Sequence, residues 1–414
     1  MEDLQDLSVI AERKDEPSTS LEEVKNKLQK TISVPFLVKE RPYLRTVLDG
    51  IRAYLEAHGD WKIVTPQYYA GNDHPLDYIP GIVGQISGVP RPQHLLGLLA
   101  RQIPTVLIGY SPQPNGASTV VLDYDRIAIL AVDHFMDQGV RAFAYIGSNN
   151  PLNRDHFELC QGVEQYVGTL SASFEQFDNT VPYTKASMKI HIGRIAQWLK
   201  CLPDQAGIIC GDDDYANRVL LAAHLAGLRP GQDFMMIGCG NDTVFCESAN
   251  PKLSSIEFDY YGMGWLAAQK LCALVLSKSE PNEALIIRSS VLRARRSSRR
   301  SGVPGGCVDQ AMDLIWNRNE SVVSVDLLAS KLKVNRRTLD RQFNQQLQTS
   351  ASVEIRKART EKVKRLLSNE RMLLATIAQD CGFYDQAHMS REFKRETGVT
   401  PLAYRNRRAN TSLS

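Results

Sequence analysis

Along most of the chain, short apolar runs alternate with longer stretches whose apolar positions fall at helical spacing. Runs at 33–38, 62–66, 81–86, 105–109, 119–122, 142–146, 207–210, 234–238 and 253–258 are predicted strands. Several are apolar throughout, as strands buried on both faces of a sheet must be. Between them lie predicted helices at 44–57, 92–101, 126–138, 158–168, 187–200, 216–225 and 262–276. In the stretch 126–138, Ile127, Leu130, Ala131, His134 and Phe135 share one face, and Gly139 supplies the stop. Such alternation predicts an α/β body of parallel sheets linked by right-handed crossovers. Its length suits two lobes with a cleft between them, and ligands of such sheets bind beyond the carboxyl ends of the strands.

The pattern changes near residue 300. Alternation of β-branched residues gives way to an all-α region of capped helices. Ser324 can cap a helix at 325–331, and Lys333-Val334 turns into another at 336–346. A long helix is expected at 353–367, with Ile355, Ala358, Lys362 and Leu366 among its aligned positions; 374–381 then turns at Gly382 into 386–397. These are two helix-turn-helix units: a first helix with a small residue, a tight turn, and a second helix whose N-terminal half faces a major groove. In the first, Leu328, Ala329, Leu332 and Val334 form the packing face, and Arg336, Arg337, Thr338 and Arg341 project from the second helix. In the second, Ile377, Ala378, Cys381 and Phe383 pack, while Gln386, His388, Ser390, Arg391 and Arg395 lie on or beside the reading helix. An arginine here can pair with a guanine edge or neutralise a phosphate; Arg337 can equally be ordinary surface, and Arg391 a structural phosphate contact or an intramolecular bridge.

Charge supports that division. The net charge of +3 conceals 24 basic and 12 acidic residues over 291–414, against 25 and 34 in the rest of the 414-residue chain. A basic module on an acidic body is the footprint of a nucleic-acid binder. The expected organisation is a polar extension at 1–30 with a short helix at 21–28, a two-lobed ligand-sensing body at 31–294, a linker at 295–306, and a DNA-binding module at 307–410. The linker's Gly, Ser and Pro break regular structure, and its arginines are expected to repel one another. No apolar run reaches the roughly eighteen residues of a membrane span, and the start lacks an apolar signal core, so a cytoplasmic location without membrane partner is expected. The eight cysteines are scattered without a C-x-x-C pair, which favours reduced thiols buried as small apolar residues. Asp212-Asp213-Asp214 lacks further placed oxygens, so no metal is expected, and Gly238-Cys239-Gly240 reads as a turn rather than a nucleotide loop. Neither H-E-x-x-H nor G-x-S-x-G occurs, which disfavours an enzyme, and no cofactor is expected.

Ile377-Ala378, Cys381-Gly382-Phe383, Ser390-Arg391-Glu392-Phe393-Lys394, Gly398, Thr400-Pro401 and Tyr404-Arg405 resemble, in order and spacing, the signature of the AraC/XylS family of transcription regulators. Residues 339–343, Arg359 and Leu366-Leu367 match its first unit. The resemblance covers about a hundred residues and implies two reading helices, joined by a long helix, in successive major grooves on one DNA face. Gln348 stands where the family usually has Gly, Ala351 where Pro is usual, and Met389 in place of an aromatic. A local adjustment at Gln348 is expected, because Gly there tolerates positive φ.

The body resembles the periplasmic-binding-protein-like sensors of the LacI/GalR type. The resemblance rests on Val121-Leu122-Asp123-Tyr124 with the following helix and strand, on residues 207–216, and on Ile237-Gly238 with Asn241. It implies a small-molecule effector between the lobes, a sugar with xylose favoured, as well as a homodimer and an encounter with RNA polymerase. Sugar sites need carboxylates and amides to grip hydroxyls and an aromatic face for the ring. Asp123, Asp213 and Asn241, and more loosely Arg154 and Asp259, are the ligand candidates; Asp123 can equally serve the helix that follows it. Gly240 and Leu159 stand where related sensors usually carry Asp and Arg, which removes two polar grips. The expected function is a ligand-controlled, sequence-specific regulator of transcription acting on double-stranded DNA. The alternative is a small-molecule binding protein or enzyme with a nonspecific polyanion-binding tail.

Overall fold

The computed structural model describes residues 31–34, 43–59, 61–64, 82–88, 103–109, 114–148, 154–179, 187–276, 281–288, 290–303, 305–316, 323–367 and 372–411. The helices expected at 21–28 and 92–101 lie outside these, as do parts of the first three expected strands.

Among the described residues, strands run in chain order as β1 (Thr31–Ser33), β2 (Lys62–Val64), β3 (Ile82–Gly88), β4 (Thr105–Ile108), β5 (Ser118–Leu122), β6 (Ala142–Ile146), β7 (Ser173–Gln176), β8 (Ala206–Cys210), β9 (Phe234–Cys239), β10 (Ser254–Phe258), β11 (Ala284–Ile287) and β12 (Ser290–Arg293). They form two six-stranded sheets, ordered β2-β1-β3-β4-β5-β11 and β7-β6-β8-β9-β10-β12. Every pairing is parallel except β10 with β12. The first five strands of each sheet follow one order, so the lobes repeat a single doubly wound plan. The expected parallel α/β body is what the chain forms. β8 and β9 are buried at every position, which is why their apolar runs stand out in sequence. β7, β11 and β12 give no such signal: they lie towards the sheet margins and keep half-exposed positions.

The body's helices are α1 (Tyr43–Ala57), α2 (Tyr124–Met136), α3 (Arg154–Gly168), α4 (Met188–Cys201), α5 (Asp213–Ala226), α6 (Thr243–Ser248) and α7 (Tyr260–Val275). The chain crosses between lobes three times: from β5 into α2, from β10 into α7, and from β11 to β12. α7 returns to pack on α1, and glycines set that contact. A Cβ on Gly264 would overlap the Val47 carbonyl, and one on Gly50 the Tyr261 carbonyl. The two backbones therefore approach as only glycine allows.

Beyond the body lie α8 (Cys307–Trp316), α9 (Val325–Lys331), α10 (Arg336–Leu347), α11 (Ala351–Leu366), α12 (Leu374–Asp380), α13 (Gln386–Thr397) and α14 (Pro401–Thr411). Two cores hold them. Val308, Met312 and Ile315 of α8 join Leu328, Leu339, Phe343 and Ile355 in the first. Val363, Leu367, Ile377, Ala378, Cys381, Phe383, Met389 and Phe393 make the second. α11 contributes to both and spans about 24 Å. The expected cap forms at Ser324, where the hydroxyl accepts from Leu327 N; two caps that sequence reading did not name lie before α10 and α13, where Asn335 accepts from Thr338 N and Asp385 from His388 N. Gln348 takes the left-handed conformation (φ 51°) that Gly398 takes after α13 (φ 76°). The α10 terminus thus makes the same left-handed turn as the α13 terminus without glycine, at a cost of about 1 kcal/mol. Met389 fills the aromatic's place wholly buried.

One expectation is overturned. The stretch at 295–306 was expected to hold its arginines apart as a linker, but Arg295, Arg296 and Arg299 are buried, and Arg296–Ser298 form a short 3-10 turn. Carboxylates from both sides compensate the charges, as described below.

Candidate DNA interface and effector cleft

On the DNA side, α10 and α13 each bury two positions, Leu339 and Phe343 or Met389 and Phe393, and turn the rest outward. Arg336, Arg337, Arg341, Gln386, Arg391 and Arg395 are exposed; Thr338, His388 and Ser390 are half-buried. The backbone N–H groups of Thr338 and His388 are taken by their caps. Arg336 lies 3.7 Å from Asp326 and 3.9 Å from Asp340, and Arg395 pairs with Glu392, so both are held by neighbouring carboxylates. α11 fixes the units to each other: Arg359 donates to the Val323 carbonyl before α9, Lys362 to the Asp380 carbonyl at the end of α12, and Arg356 to Glu396 of α13.

In the body, the ligand candidates fall at the carboxyl ends of strands, but most already serve the protein. Asp123 and Asp259 sit at equivalent crossovers. Each caps the next helix from nearly the same backbone angles, accepting from Arg126 N (3.0 Å) and Gly262 N (2.8 Å). The second oxygen of Asp123 lies 3.8 Å from Arg288 Nε at the third crossover. Asp213 is buried; its oxygens accept from Ser255 Oγ (2.6 Å) and Asp242 N (2.6 Å). Burial pushes its carboxyl up to about 7 against the pull of those donors. Asn241 joins this group through Ser255, its N–H donating to Ser255 Oγ at 2.9 Å. Arg154 lies apart at the start of α3, paired with Glu158 (2.8 Å) and set over the Phe157 ring. The carboxylates of residues 212–214 point to different partners: Asp212 caps α5, Asp213 is as described, and Asp214 pairs with Arg218.

Sequence reading missed two groups here. Tyr43, Tyr124, Phe258 and Tyr260 gather at the crossovers, with Tyr43 and Tyr260 stacked at 4.5 Å and Tyr124 donating to Asp155 at 2.5 Å. Burial and Asp155 push the Tyr124 hydroxyl well above its usual range. His156 sits between the ends of β6 and β8, where strand order reverses. Its Nδ1 accepts from Ser148 N (2.8 Å), and its Nε2 lies 3.4 Å from Asp212. A Cβ on Gly147 or Gly211 would strike its ring. Burial raises the Asp212 carboxyl, but the donors from His156 and Tyr215 outweigh it and leave it below the usual range.

The stretch at 295–299 ties this cleft to the DNA module. Arg295 donates to Asn241 Oδ1 (3.0 Å), Glu247 (2.8 Å) and the Leu253 carbonyl (2.9 Å). Ser297 accepts from Ser254 N, and the Ser298 hydroxyl lies 2.7 Å from that of Ser254 and 2.9 Å from His134 Nε2 on α2. Burial, reinforced by Arg299, holds the His134 imidazole well below its ordinary range. Arg296 then reaches Asp309 and Asp313 of α8, both at 2.9 Å, and Arg299 stands 4.3 Å over the Trp316 ring. Hydrogen bonds therefore link the Asp213–Asn241 loops to Arg295, and Arg296, its neighbour in the chain, carries the contact on to α8.

Two family models match. A periplasmic binding protein-like domain covers residues 132–298, and a helix-turn-helix domain covers 328–407. The chain carries an AraC-type helix-turn-helix domain behind a periplasmic-binding-protein-like domain. The same order occurs in the xylose operon regulatory protein of Escherichia coli (strain K12), to which the chain is 23% identical over 386 residues, 88% of this chain and 94% of that protein. Among solved structures, the xylose-binding transcription activator XylR superimposes with a TM-score of 0.59 at 23% identity, covering 91% of this chain and 97% of that one. A LacI-type regulator of Alkaliphilus metalliredigens complexed with D-xylulofuranose matches the fold of the body, with a TM-score of 0.52 at 17% identity over 65% of this chain and 99% of that one. Among the described residues no helix is long and apolar enough to cross a membrane.

Proposed function

We propose that this protein is a cytoplasmic, non-enzymatic transcription regulator that binds double-stranded DNA sequence-specifically through α10 and α13 and is controlled by a sugar, xylose foremost, held between the lobes of the body. The observation that carries the reading is the repeated unit at residues 325–398: two reading helices whose exposed outer faces mix basic and polar side chains, fixed to each other by α11. Arg336, Arg337, Thr338 and Arg341 meet one groove; Gln386, His388, Ser390, Arg391 and Arg395 meet the next. Asp123, Asp259, Asn241 and Arg154, with the tyrosines at the crossovers, line the cleft, and Asp213 holds the Asn241 loop in place. The effector's preference for one lobe closure is passed to α8 through Arg295 and Arg296, because a ligand shifts an equilibrium only by its differential affinity for the two states. The regulator acts as a homodimer joined through its body and meets RNA polymerase at the promoter.

The test is a gel-shift series on DNA selected from a random pool, comparing the wild type with a variant replaced at Gln386, His388 and Arg391. Selectivity is expected to vanish in the variant while salt-dependent binding persists. Equal affinity of the wild type for all sequences would leave only a polyanion-binding tail. A thermal-shift screen of the full chain against pentoses, hexoses and sugar acids tests the effector: xylose is expected to raise the melting point by mass action, and no shift with any sugar would remove the sugar.

A further inference from the structure

The two helix-turn-helix units repeat each other almost residue for residue. Leu328, Ala329, Leu332, Lys333 and Val334 of the first correspond to Ile377, Ala378, Cys381, Gly382 and Phe383 of the second, and Lys333 and Gly382 share the left-handed turn (φ 54° and 72°). From the helix caps onward the register moves by one: Asn335 corresponds to Asp385, Leu339 to Met389, Phe343 to Phe393 and Gln348 to Gly398. The second turn therefore holds one additional residue, Tyr384. Its side chain is 93% exposed, the most exposed large apolar group among the described residues. Its backbone is fixed from both sides. Phe383 before it is buried in the second core, Asp385 after it caps α13, and its N–H donates to His388 Nδ1 at 3.4 Å.

An added aromatic at the leading end of a reading helix is placed where such helices meet base edges. The apolar feature that a major groove offers there is the 5-methyl group of thymine. Gln386, Ala387 and Arg391, exposed on the same end of α13, supply neighbours for the polar edges. We infer that Tyr384 is a specificity-determining residue of the second unit and reads a thymine by packing its ring on the methyl group. The inference rests on the DNA-reading role of α13 proposed above.

The experiment uses the full chain and a site it selects from random DNA. Each thymine is replaced in turn by deoxyuridine, which removes only the methyl group, and dissociation constants are measured. Wild type is expected to lose about fourfold in affinity at one thymine under the second unit, the worth of one buried methyl. Tyr384→Phe keeps that penalty, because the hydroxyl takes no part. Tyr384→Ala binds thymine and uracil sites equally; its fold is checked by an unchanged unfolding curve, expected for so exposed a ring. A penalty that survives in Tyr384→Ala, or that no thymine shows in the wild type, overturns the inference. Loss of affinity by Tyr384→Phe on every sequence also overturns it, in favour of a phosphate contact. If the wild type selects no site, the DNA-reading role of α13 fails first.

Discussion

Arg296 carries the junction between body and DNA module, and its removal has a calculable effect. The side chain is 2% exposed and donates to Asp309, Asp313, Ser301 and the Arg299 carbonyl. Asp313 is 54% exposed, so solvent screens that pair to little. Asp309 is only 13% exposed, and without the guanidinium its charge is left unpaired in a poor solvent. Losing one partner of such a pair costs about 3 kcal/mol. Arg296→Met keeps the apolar stem and removes the charge. By calorimetry of the full chain, the DNA-module transition is expected to fall by roughly 14 °C, with the body transition less affected. Adding Asp309→Leu is expected to recover most of the loss, because an apolar replacement of both partners leaves no orphan charge. A fall of less than about 2 °C, or a double variant no better than the single one, would refute the reasoning.

The glycine contact between α1 and α7 predicts that Gly264→Ala forces the helices apart and destabilises the first lobe by about 3 kcal/mol, measured by urea unfolding; a loss below about 1 kcal/mol would count against the packing. Asp213 predicts a pH dependence. Its folded pKa of about 7 lies above the ordinary carboxylate range. Between about pH 4 and 7 the folded state therefore holds a proton that the unfolded state has released, and stability declines as pH rises, by at most about 1.4 kcal/mol per unit. Asp213→Asn removes that slope in denaturation curves taken across the window; an unchanged slope would assign it to another group. Asn241→Ala is expected to reduce the rise in melting point that the effector gives and, at saturating sugar, to weaken the effector's influence on DNA affinity, read by titrating DNA with and without sugar. Intact influence would place the coupling route elsewhere.

What could be read in advance followed how local the signal was. Ser324 is recognisable because a cap is settled within three residues, and β8 and β9 because burial on both faces leaves only apolar choices. The margin strands β7, β11 and β12 carry no such constraint, so their sequences stay ambiguous. The helix-serving role held open for Asp123 is what its carboxylate performs; Asp213 was singled out by position, but its two internal donors depend on loops far apart in sequence. The arginines at 295–299 were misread for the same reason. Their compensation comes from Glu247, Asp309 and Asp313 and from the carbonyl of Leu253, which only the folded chain brings together. His156 gave no motif at all, since its place at the strand reversal is set by topology.

Footprinting of the full chain on DNA it selects tests the central claim most directly. Two protected major-groove segments, about one helical turn apart on one DNA face, are expected, with Arg341→Ala erasing one and Arg391→Ala the other. A selection that returns no common sequence, or a single continuous footprint insensitive to both substitutions, would contradict it.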